Sequence, residues 1–172
     1  MQLLRTKPVV EALIADSVSA EERAKYLLAS FLVFNAAYYS GLVVAGAELW
    51  TPLSLMEAAV VVALNIVGVV KTFDAAGGKT NTDFIAQFTC LYVPVSVTTL
   101  VAVWGVYWLM RMSFTPTLVE LSRSNMQFAL NLASLGTDLL GFLAFVANVG
   151  VLAITYGRLH KLLARVREAR EA

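Results

Sequence analysis

The run FALNLASLGTDLLGFLAFVANVGVLAITY, from Phe128 to Tyr156, continues without a break into GRLHKLLARVREAREA and decides how the chain is read. Stepped alternately by four and three residues from Glu120, it gives Ser124, Gln127, Asn131, Ser134, Asp138, Gly141, Phe145, Asn148, Leu152 and Thr155, then Leu159, Leu162, Val166 and Ala169. This is a heptad stripe along a single helix. Up to Tyr156 the stripe holds nearly all the polarity, while the remaining surface is Leu, Ala, Val, Phe, Ile and Gly, as in a membrane helix with one wet or hydrogen-bonded face. Beyond Arg158 the pattern inverts. The stripe becomes apolar and Arg165, Arg167, Glu168, Arg170 and Glu171 take the other positions, as in a helix standing in water against partner helices. From Pro116 to Arg170 such a rod would be about 80 Å long, more than twice the thickness of a hydrocarbon core, so it extends into the cytoplasm.

Composition agrees with a membrane assignment. The 172 residues are 59% hydrophobic and 15% charged. Four stretches can each supply the roughly 20 apolar residues that a span requires: Tyr26 to Leu49, Pro52 to Val70, Phe84 to Met110 and Phe128 to Tyr156. The fold expected is an all-α integral membrane protein with four transmembrane helices. It divides into an amphipathic N-terminal segment (1–25), the membrane domain (26–156) and a helical tail (157–172). Lys and Arg flank the first span on its N-terminal side and are missing from the first loop; Lys71 and Lys79 lie in the second, Arg111 and Arg123 in the third, and five more follow in the tail. The positive-inside rule therefore puts both termini in the cytoplasm, and Trp50, Trp104 and Trp108 at the outer interface. A bacterial inner membrane is the expected location.

Punctuation along the chain is readable. Ser19 and Glu22 have capping-box spacing ahead of the first span, and Val9, Val10, Leu13, Ile14 and Val18 share one side of a short helix opening at Pro8. That helix either lies on the membrane surface or caps the bundle. Gly77 and Gly78 make a turn, with Thr80 or Thr82 capping the third helix. Gly78-Lys79-Thr80 is not a phosphate loop, because Phe73 stands where the motif needs glycine. Pro94 removes one backbone bond in the third span and marks a bend. Arg111 to Phe114 read as a short link, with Thr115 as cap and Pro116 as first residue of the last helix.

The chemistry excludes more than it selects. The single histidine, His160, lies in the tail, Cys90 is alone in a span, and no metal-ligand spacing or nucleophile motif occurs, so neither catalytic residues, metal site nor cofactor is expected. No basic patch interleaved with aromatics points to nucleic acid. Asp138 stands out, within a turn or so of the middle of its expected span, where an acid costs about 2.5 to 3.5 kcal/mol without a partner. A symmetric homo-oligomer would turn Asn131, Ser134, Asp138, Gly141, Phe145, Asn148, Leu152 and Thr155 toward a shared axis as pore lining. Leu159, Leu162 and Val166 would then be the oligomerisation seam, and Pro94, Gly77 and Gly78 the gating elements. The function expected is a cation channel, with the bilayer and further copies as partners and a cytoplasmic regulatory protein or ligand as trigger. Two alternatives stand beside it: a membrane adaptor subunit of a larger complex, and a proton-coupled small transporter using Asp138. Four-helix multidrug exporters keep their acid in the first span, where this chain has none. In span count alone the chain resembles small bacterial pore-forming effectors, a likeness that assigns no residue roles.

Overall fold

The computed structural model describes the backbone of residues 5–30, 32, 52–122 and 126–172, and the side chains of these residues apart from 52–54 and 114–140. All of the regular structure described is helical. The elements are α1 (Thr6–Ile14), α2 (described over 20–30), α3 (Pro52–Ala75), a 3-10 turn (Gly78–Thr80), α4 (Phe84–Ser122) and α5 (Met126–Glu171). Three of them, α3, α4 and α5, are long and apolar enough to cross a membrane. Most of the expected first span lies outside the described residues.

The helix starts follow local chemistry. Ser19 Oγ accepts the Glu22 amide at 3.2 Å, so α2 opens on the cap its spacing predicts. Replacing Ser19 with Ala is expected to cost about 1 kcal/mol, read as a small fall in the thermal midpoint. Between α3 and α4 the chain turns through Gly77 (φ 107) and Gly78 (φ 58), left-handed conformations that suit glycine. Entry into α4 departs from expectation, because Asn81, rather than Thr80 or Thr82, organises it. The Asn81 amide donates to Ala76 O (2.8 Å) and Gln87 Oε1 (2.9 Å), and its Oδ1 accepts the Asp83 amide (2.9 Å). Thr80 instead spends its hydroxyl on Gly77 O. The Asn81 amide has two N–H donors and an oxygen acceptor and uses all three, tying both sides of the turn, whereas a hydroxyl has a single proton to give.

The expected link at Arg111 to Phe114 is also corrected. Thr115 and Pro116 lie inside α4, which runs for 39 residues to Ser122, and α5 begins at Met126. Pro116 deprives the Met112 carbonyl of one bond, whereas ending the helix there would strand several carbonyls among apolar neighbours. Helix α4 is described to Ser122 and α5 from Met126, and the sequence between them, Arg123-Ser124-Asn125, is polar. The C-terminal rod is accordingly 46 residues, or about 69 Å.

Helix α5 lies alongside both α3 and α4. Its register on α3 is fixed by two hydrogen-bonded pairs, Glu57 with Asn148 and Asn65 with Tyr156, each 91 residues apart, so the two helices run parallel. Helix α4, which connects them, runs the other way.

The tightest packing gathers at one end of the bundle. Val9, Val10 and Leu13 of α1, with Val18 and Tyr26, pack in one cluster with Cys90, Leu91, Val93 and Val95 of α4 and Leu159, Leu163 and Val166 of α5. The amphipathic N-terminal helix therefore caps the bundle. It opens at Thr6, two residues before Pro8. Arg170 closes the cap by donating from Nε and Nη2 to the Leu13 carbonyl at 3.1 and 2.6 Å, a basic group on the open carbonyls of a helix C-terminus. Asp16, in the left-handed region at φ 46, accepts from both Arg170 and Arg23. Elsewhere apolar side chains face outward, among them Val62, Ile66 and Val67 of α3, Val101, Val106 and Leu109 of α4, and Ile154 of α5. Surfaces of that kind belong in lipid.

Candidate functional site

Among the described side chains, Asn148, Tyr156 and Arg158 of α5 lie on a seam with α3 and α4 of the same chain. At one end Asn148 Nδ2 donates to Glu57 Oε1 at 2.5 Å. Two turns along, Asn65 Nδ2 donates to Val61 O of its own helix, which leaves Oδ1 to accept the Tyr156 hydroxyl at 2.8 Å. The tyrosine lies flat on the α3 backbone because residue 68 is glycine: a Cβ there would sit 2.3 Å from the ring. The repeat of Glu57 and Asn65 on one helix and Asn148 and Tyr156 on the other, each eight residues apart, gives both ties the same register.

Arg158 supplies the third tie. Side chains on a helix tilt toward its N-terminus, so Arg158 reaches back along α5, away from the α1 cap. Its Nη1 donates to Thr98 Oγ1 at 3.1 Å and Thr99 Oγ1 at 3.0 Å. Both hydroxyls donate onward, to Pro94 O and Val95 O at 2.7 Å, and are held as acceptors for the guanidinium. Thr98 and Thr99 straddle the centre of the apolar stretch Phe84–Ser113, and Asn65 is the central residue of Leu55–Ala75. Polar side chains near the centres of these two stretches thus bond to neighbouring residues of α5, Tyr156 and Arg158. Thr155, beside them in sequence, is 1% exposed, and its hydroxyl has no partner among the described residues. His160 Nδ1–H donates to Lys71 O at 3.3 Å where the seam ends.

The expected site residues fall into three groups. Asn131, Ser134 and Asp138 are on the α5 backbone, with side chains outside the described residues. Asp138 precedes Asn148 by ten residues on α5, or about 15 Å along the helix. Gly141, Phe145, Asn148 and Leu152 are half-buried, with Phe145 against Phe142 (6.1 Å between centroids) and Leu152 packed on the core. Leu159 and Val166 are 0% exposed within a single chain, so the expected seam between copies is filled by the chain's own helices. Leu163 joins them in place of Leu162, which is only partly buried, because a straight helix repeats at 3.6 residues and the heptad stripe drifts off it. Pro94 is fully buried in α4, and Gly77 faces the tail, where an added Cβ would lie 3.5 Å from Arg167 Cδ.

Glu57, Asn65, Thr98, Thr99, Tyr156 and Arg158 are not among the site residues that the sequence pattern of α5 singles out. The signal available was the shared eight-residue spacing on two spans. Among the described residues no three His, Cys, Asp or Glu side chains group as metal ligands. No protein-family model, curated protein or solved structure matches this chain.

Proposed function

We propose that this protein is a small transporter that couples movement of a solute to movement of protons, with the path inside each chain along the seam of α3 with α5. The observation that carries the reading is the pair of in-register ties, Glu57 with Asn148 and Asn65 with Tyr156, which turn the polar face of α5 toward its own bundle. A pore around a shared axis needs that face free. An acid within a span is a proton or ion carrier by default. Glu57 takes that role in place of Asp138, because it lies on the seam and forms no ion pair among the described residues. Both termini face the cytoplasm of a bacterial inner membrane in this reading, on the distribution of Lys and Arg, which places the α1 cap inside.

The test is proton uptake into proteoliposomes that hold a trapped pH dye, driven by an imposed potassium diffusion potential. Glu57→Gln keeps the shape and a hydrogen-bond acceptor for Asn148, and is expected to lower the rate at least tenfold with the thermal midpoint little changed. Wild-type uptake by this variant would refute the reading.

A further inference from the structure

We infer that Arg158, held by Thr98 and Thr99, is a binding site for an oxoanion, a small carboxylate or a phosphate, within the bundle. The inference rests on the path proposed above and supplies the class of its solute. Bonded to Thr98 and Thr99, the half-buried Arg158 guanidinium lies against the centre of the apolar stretch of α4, and on the membrane path proposed above a full charge there is retained only with a partner. Its two bonds go to neutral hydroxyls through Nη1 alone. No carboxylate pairs with it among the described residues. Nε–H and the two Nη2–H groups remain, and no bond from them is formed among the described residues. Nε–H together with one Nη2–H is the planar fork that grips two oxygens of a carboxylate or phosphate at once. The threonines prepare the fork: with their own protons committed to Pro94 O and Val95 O, they hold Nη1 and leave Nε and Nη2 uncommitted.

The same chemistry is offered by a free oxoanion and by the phosphate of an anionic lipid, and the experiment separates them. The full chain is placed in nanodiscs of phosphatidylcholine, and unfolding is followed by tryptophan fluorescence while sodium acetate or sodium phosphate replaces sodium chloride at constant ionic strength. A second series contains phosphatidylglycerol and chloride only. A free ligand is expected to raise the unfolding midpoint saturably by several degrees in phosphatidylcholine. Arg158→Lys, which keeps the charge and loses the fork, should weaken the apparent affinity at least tenfold, and Arg158→Gln should abolish the response. An Arg158-dependent rise seen only with phosphatidylglycerol supports the site and assigns it to lipid phosphate. A response that is the same in Arg158→Lys and the unaltered chain, or no Arg158-dependent response in either series, overturns it. Should Arg158→Gln fail to fold, Arg158→Lys decides alone. The inference and the function fail separately: unchanged proton uptake by Glu57→Gln removes the path and leaves the anion response standing, whereas an anion response indifferent to Arg158 removes the site and leaves proton uptake standing.

Discussion

Gly68→Ala is expected to lower the unfolding midpoint more than any other single-methyl change among the described glycines. The added Cβ would meet Tyr156 Cγ at 2.3 Å and both Cδ atoms at 2.5 Å, distances at which the ring has to leave. Its departure breaks the bond from the Tyr156 hydroxyl to Asn65 as well. Overpacking costs about 1 to 3 kcal/mol and the lost hydrogen bond about 1 more. Gly105 and Gly150 are internal controls, because a Cβ at either meets nothing within 4 Å. Alanine there should be neutral or stabilise by up to about 1 kcal/mol, the ordinary gain of helix propensity. The double variant Gly68→Ala with Tyr156→Ala separates the causes. If the clash dominates, the glycine change becomes nearly silent once the ring is gone; equal costs in both backgrounds would place the seam elsewhere.

Leu163→Asp is the second large effect. Leu163 is fully buried in the cluster where α1, α4 and α5 meet, and a carboxylate there would stand desolvated among apolar side chains. Loss of the buried side chain together with an unpaired acid is expected to cost upward of about 4 kcal/mol and to release α1. Limited proteolysis after Lys7 or Arg23 reads that release directly. Leu162→Asp is the control, since Leu162 is only partly buried and should tolerate the change far better. A seam between copies built on the heptad predicts the opposite order, with Leu162→Asp disrupting assembly and Leu163→Asp sparing it. The ratio of the two variants therefore tests which side of α5 is inward.

Much of the architecture is legible in the sequence because it follows from local rules. Helical spans come from length and hydropathy, the Ser19 cap from its spacing to Glu22, the turn at Gly77 and Gly78 from glycine, and the inward face of α5 from periodicity. What failed required a comparison of energies or a second helix. Pro116 looks like a helix start until the carbonyls it would strand are counted. Thr80 and Thr82 look like caps until Asn81, whose amide offers two donors and an acceptor, is weighed against them. The partner of the α5 face was beyond reach, because a stripe says which side is inward and not what lies opposite. Asp138 stands out in the sequence as an isolated acid, whereas the bonds of α5 to α3 and α4 among the described side chains run through Asn148, Tyr156 and Arg158.

The bonds from Arg170 to the Leu13 carbonyl join residues 157 positions apart. During synthesis, Val9, Val10 and Leu13 therefore emerge long before the surface that covers them exists. Until then this greasy little helix must rest on lipid headgroups or a chaperone, so the amount of folded protein should respond to what is fused after Ala172 more sharply than to what is fused to any loop.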